Sequence, residues 1–179
     1  MNWEAIGAIG EIMGVILILV TLIYLSSQIR TQNSIAKADG HRDLIKQLAS
    51  LHRRADEGNS SDIFVRGSLD LDSLNTSEKI HFDSFFHEYI HICEQAYYMG
   101  RDKYIPAGSY DAFMFAAASF ISSPGARVWW ELSRVGGYAS DFVKIVEELR
   151  DAEGQIPPAW EILPNFRYAY DDLKARNQS

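Results

Sequence analysis

The chain has 179 residues, enough for one domain of ordinary size plus a short accessory segment. Its formal net charge of −7 excludes the cationic field that phosphate backbones require, so nucleic acid is not expected as a partner. The single cysteine, Cys93, excludes an intrachain disulfide framework and reads as a buried, inert thiol.

The first element is apolar. From Ala5 to Leu25 the only charged residue is Glu11. A helix over this stretch rises about 31 Å, matching a hydrocarbon core of roughly 30 Å. Trp3 and Tyr24 fall near its ends, where amphipathic rings favour the headgroup level. No Lys or Arg precedes Arg30, and no small-residue cleavage pattern follows, so the segment reads as a retained transmembrane helix rather than a signal peptide. Only Glu4 is charged on the N-terminal side, whereas Arg30, Lys37, Arg42 and Lys46 follow the span. The positive-inside bias therefore predicts an external N-terminus and a cytoplasmic remainder.

Wound at about 100° per residue, Glu4, Gly7, Glu11, Gly14, Ile18, Thr21 and Leu25 fall within a wedge of about 120°, with Gly10 on its margin. Ile9, Ile12, Met13, Ile16, Val20 and Ile23 lie opposite and suit lipid. The first face is small and polar. Gly10 and Gly14 have the GxxxG spacing that lets backbones approach closely in a bilayer. An ionised residue near the bilayer centre costs roughly 2.5–3.5 kcal/mol on insertion scales, so Glu11 should face a helix partner or water.

Past Arg30 the helix should continue through Ile35, Ala38, Leu44, Ile45, Leu48 and Leu51, with a bend at Gly40. Residues 55–62, with Gly58, Asn59, Ser60 and Ser61, read as a loop. Residues 67–77 read as a turn-prone stretch pinned by Leu69, Leu71 and Leu74. Asn75 and Glu78 have capping-box spacing. Phe82, Phe85, Phe86, Tyr89, Ile92, Cys93 and Ala96 then recur at helical spacing up to Gly100. The run from Ala112 to Ile121 is apolar nearly all round and reads as a central buried helix. Ser123-Pro124 starts another, which ends near Gly136-Gly137, and Ser140 opens one carrying Phe142, Ile145, Val146 and Leu149. After Gly154 the tail reads as an irregular strap with Pro157, Pro158 and Pro164 among Trp160, Phe166, Tyr168 and Tyr170.

His87-Glu88-Tyr89-Ile90-His91 spells HExxH on a predicted helix, the arrangement in which two imidazoles hold Zn²⁺ and the glutamate activates water. Glu94 and Tyr97 stand where a metzincin would have Gly and His, and no third ligand suggests itself. Glu78-x-x-His81 and Glu88-x-x-His91 resemble halves of a di-iron site, but they lie about 15 Å apart along one helix. For Trp129 and Trp130 the reading is that one ring faces the core while Arg127 and Glu131 pair on the surface. There is no P-loop, GxGxxG or G-x-S-x-G.

Trp3-Glu4-Ala5-Ile6-Gly7-Ala8-Ile9-Gly10-Glu11, Thr21-Leu22-Ile23-Tyr24-Leu25 and Gln28-Ile29-Arg30 resemble the opening segment of a set of small bacterial single-pass membrane proteins. Glu94, Tyr97-Tyr98, Gly100 and Pro124-Gly125-x-Arg127-x-Trp129-Trp130-Glu131 extend the likeness over most of Trp3 to Leu149. The resemblance implies a membrane location and no particular activity, and His87 and His91 lie outside its pattern.

The expectation is an all-α protein: an anchor helix over residues 1–30, a cytoplasmic helical bundle over 31–155 and a C-terminal strap over 156–179. It is a non-enzymatic protein of the bacterial inner membrane, in contact with lipid, without cofactor, metal or catalytic residues. Copies of it, or a membrane protein partner, associate through Glu4, Gly7, Gly10, Glu11, Gly14 and Thr21. Two alternatives are an ion or proton channel lined by the Glu11 stripe and a membrane-tethered zinc hydrolase using His87, Glu88 and His91.

Overall fold

A computed structural model describes residues 2–55, 57–152, 156–162, 167–168, 171 and 175, with the backbone alone for Ala5 and Trp160. Among these residues the secondary structure is helical, without strands. The chain divides into two units, Met1–Gly40 and His41–Ser179.

In the first unit, helix α1 (Trp3–Ala55) runs unbroken from Trp3 to residue 40. Its polar side chains do not disrupt the ladder, because they bond back to it. Thr21 Oγ1 donates to the Leu17 carbonyl at 2.8 Å and Thr31 Oγ1 to the Ser27 carbonyl at 3.1 Å. An 18-residue window of this helix has a mean hydropathy of 2.5, and none of it is buried within the chain. The helical assignment is continuous through Gly40.

The second unit contains the remainder of α1 and a helical bundle. Leu44 and Leu51 are fully covered there, while Ile45 stays about half exposed. Helix α2 (Ser60–Leu69) and a short 3-10 turn, Leu71–Ser73, follow. Helix α2 corrects the reading of this region as loop and turn. It has no side-chain cap at Asn59 and carries Gly67 in its last turn, so its own propensity is poor. Packing decides instead: Ile63, Phe64, Val65, Gly67 and Ser68 are buried.

Helix α3 (Thr76–Arg101) opens with the expected capping box. The Asn75 side chain accepts from the Glu78 amide at 3.0 Å, and the Glu78 carboxylate accepts from the Asn75 amide at 2.9 Å. The other Glu78 oxygen takes a hydrogen bond from Arg66 at 2.6 Å, which ties α2 to the first turn of α3. Arg66 and the Asn75 amide hold this carboxyl below the usual carboxylate range.

Helices α4 (Ala107–Ile121), α5 (Pro124–Gly137) and α6 (Ser140–Asp151) complete the bundle, with one further turn, α7 (Ala159–Ile162). Helix α4 packs on α3, α5 and α6 and is the central helix that its apolar sequence predicts, burying Phe113, Met114, Ala117, Ala118, Phe120 and Ile121. The expected strap falls partly outside the described residues, which do not include Gly154, Pro164, Phe166 or Tyr170. Of its described part, the Pro157 carbonyl accepts from Ser119 at 2.8 Å and Ala159 is buried, whereas Tyr168 is exposed.

Two helices meet at unusually short range. A Cβ placed on Gly125 of α5 would lie 2.0 Å from the Gly67 carbonyl oxygen of α2 and 2.8 Å from the Leu71 amide. Both tryptophans of α5 are buried rather than one. Trp129 donates to Asp83 at 2.8 Å and Trp130 to Glu147 at 3.0 Å, so each indole nitrogen finds a partner that lets its ring sink. Nor does Arg127 pair with Glu131. Arg127 lies 3.9 Å from Asp151 of α6, and Glu131 is taken by Arg134 of its own helix at 2.9 Å and by Arg150 of α6 at 3.5 Å.

Candidate functional site

The residues of the predicted transmembrane face occupy one side of α1. Glu4, Gly7, Gly10, Glu11 and Thr21 are exposed and Gly14 is half-buried. Among the described residues no atom of a neighbouring element lies within 4 Å of a Cβ built at Gly7, Gly10 or Gly14. These three share that openness with Gly58, Gly108 and Gly136 of the second unit but differ from Gly67, Gly100 and Gly125. At Gly67 an added Cβ would meet the Phe82 ring at 2.4 Å, at Gly100 the Tyr110 ring at 2.2 Å, and at Gly125 backbone. Those residues are small because the fold needs them small. Glycine within a helix costs about 0.5–1 kcal/mol relative to alanine, and among the described residues nothing packs against positions 7, 10 and 14 to compensate for it.

The HExxH segment lies on α3, facing the connection between α5 and α6. His87 Nε2 is 3.4 Å from Asp83 Oδ1, and the Tyr138 hydroxyl is 2.6 Å from His87 Nδ1. Asp83 Oδ1 also accepts from the Trp129 indole at 2.8 Å. The His87 and His91 ring centroids are 6.0 Å apart, and His91 Nδ1 lies 3.2 Å from Glu94 Oε2. The other Glu94 oxygen accepts from the Ala139 amide at 2.7 Å.

This is a hydrogen-bonded cluster that fastens the α5–α6 connection to α3. Both nitrogens of His87 already have partners. Glu88, which a zinc hydrolase would aim at a metal-bound water, is turned aside into an ion pair with Arg54. Among the described residues no group of three or more His, Cys, Asp or Glu side chains is arranged to hold a metal ion. Asp83 and Tyr138, the partners that set the orientation of His87, went unnoticed in the sequence. Asp83 lies at i−4 of His87 and was in principle legible, but Tyr138 arrives through a backbone break no periodicity signals.

The remaining titratable groups of the cluster are quiet. Burial pushes the Cys93 thiol up to about 12. Burial, with Asp83, Glu94 and Cys93 nearby, raises Tyr138 far above the ordinary phenol range, so its hydroxyl stays protonated.

Compared with protein-family models, with curated proteins and with solved structures, the chain matches none.

Proposed function

We propose that the chain is a non-enzymatic bacterial inner-membrane protein whose α1 crosses the bilayer over residues 5–25 and self-assembles, or packs on a membrane partner. The interface is the face bearing Glu4, Gly7, Gly10, Glu11, Gly14 and Thr21. The N-terminus lies outside, and the helical bundle serves in the cytoplasm as an interaction domain. The observation that carries this reading is the set of three glycines on an apolar helix, each with no neighbouring atom within 4 Å of an added Cβ among the described residues. In a bilayer such a face becomes useful only against another helix, because small residues let two backbones approach and make van der Waals contact. The same approach would shelter Glu11 from acyl chains.

The test is Gly10→Ile combined with Gly14→Ile, read as particle mass by native mass spectrometry from membranes. Loss of the assembled species is expected. An assembly of unchanged size in the double variant would overturn the reading. Glu11→Gln, reconstituted in liposomes, should leave ion flux as it was; a changed flux would favour a conducting assembly lined by the same stripe.

A further inference from the structure

Helix α1 does not stop where the lipid would. From Ser26 to Ala38 it continues as helix with every residue exposed, Ile29 and Ile35 among them at 57% and 56%. This is an unfavourable sequence to hold helical in water without support. Ser26, Ser27, Thr31, Asn33, Ser34 and Ile35 are all weak helix formers. Such a segment gains its stability from packing one face.

The face is identifiable. At about 100° per residue, Leu22, Leu25, Ile29, Gln32 and Ala36 fall within the same wedge of about 120° that holds Glu4, Gly7, Glu11, Gly14 and Ile18. From Leu22 to Ala36 these residues are spaced 3, 4, 3 and 4 apart, two periods of the heptad repeat of a coiled coil. The positions that flank the seam, Ser26, Gln28, Asn33 and Ile35, carry no charge, and Arg30 and Lys37 lie about 120° and about 100° from its centre. Between Leu22 and Ala36, two identical copies in parallel would therefore set no like charges against each other, whereas within the membrane span the Glu11 residues of the two copies would face one another. Gln32 fits a copy of itself, since one amide supplies both a donor and an acceptor. A polar residue at one seam position is also a means of fixing register.

We propose that the assembling face extends beyond the membrane, so that Leu22, Leu25, Ile29, Gln32 and Ala36 pair in parallel and in register with the same residues of a second copy. The inference rests on the membrane reading above, because two chains inserted with one topology necessarily run in the same direction. It names the partner that reading leaves open.

Disulfide formation between identical positions tests it, in membranes treated with copper phenanthroline as oxidant. Single substitutions Ile29→Cys, Gln32→Cys and Ala36→Cys sample the seam, while Arg30→Cys, Ser34→Cys and Lys37→Cys sample the opposite side. Gly14→Cys and Ile18→Cys report on the membrane segment separately. Cys93 can stay, being buried. The expected result is covalent dimer at 29, 32 and 36 in several-fold excess over 30, 34 and 37. Equal yields on both sides overturn the seam. Dimer at 14 or 18 with none at 29, 32 and 36 also overturns it, while leaving assembly within the membrane intact. Absence of dimer at all eight positions overturns this proposal together with the self-assembly on which it rests.

Discussion

The Tyr138 hydroxyl and His87 Nδ1 lie 2.6 Å apart, a hydrogen bond that joins the α5–α6 connection to α3. Asp83 Oδ1 stands 3.4 Å from Nε2 on the other side of the ring. A histidine inside an HExxH sequence is thereby committed to holding two segments together.

Removing the hydroxyl tests that role. Tyr138→Phe keeps the stacked ring, 5.3 Å from Trp130, and deletes only the hydrogen bond. The expected loss is about 0.5–1.5 kcal/mol of unfolding free energy, the usual contribution of one hydrogen bond. Urea unfolding of the detergent-solubilised chain, followed by tryptophan fluorescence, measures it. An unchanged midpoint would mean that the contact does not bear on stability.

Glycines on the two units should respond to alanine in opposite ways. At Gly125 the new methyl would meet backbone atoms 2.0 and 2.8 Å away, which cannot swing aside, so Gly125→Ala should destabilise the bundle by about 1–3 kcal/mol or more. At Gly10 the methyl meets nothing among the described residues, and the thermal midpoint of the bundle should not fall. Melting curves of the two variants side by side give the comparison.

Acid should loosen the join between α2 and α3. Glu78 is held below its ordinary value of 4.5 by Arg66 and by the Asn75 amide. A carboxyl depressed in the folded state binds protons more readily once unfolded. Its stabilising effect is complete above the ordinary value and is lost as pH falls through the lower, folded one. Unfolding midpoints should therefore decline below about pH 4.5, and Glu78→Gln should flatten that decline while lowering stability at neutral pH. A Gln variant with the same acid limb as the parent would refute the assignment.

Cys93 should be silent toward thiol reagents in the folded protein. Its side chain is 0% exposed and its thiol is pushed up to about 12, so thiolate is both scarce and out of reach at pH 8. Labelling with iodoacetamide should become rapid only in denaturant. Modification of native protein at a comparable rate would show that the α3–α4 core opens.

The sequence carried the elements whose signals are local. Asn75 and Glu78 marked the start of α3 to the residue, because a capping box involves only neighbours in the chain. The apolar run ending at Ile121 marked the central helix, since nothing but burial explains helix faces without polar residues. Helix α2 was illegible for the opposite reason. Gly67 looks like a turn residue, yet it is small because the Phe82 ring and α5 at Gly125 crowd it, neighbours more than ten residues away, and Ser68 beside it is buried. Tyr138 was missed similarly. Its approach to His87 follows from the non-helical backbone at Val135 and from Gly136, whose φ of +82° a side chain rarely adopts.

The dependence of α2 on Glu78 sets an order of events. No side chain caps its first turn, and near its end Arg66 reaches out to the Ser73 carbonyl and to Glu78. Helix α3 carries its own start signal and needs no such help. In the finished protein α2 should therefore open before α3. Amide protons of residues 61–69 should exchange with solvent through a partial opening that leaves those of 82–96 protected.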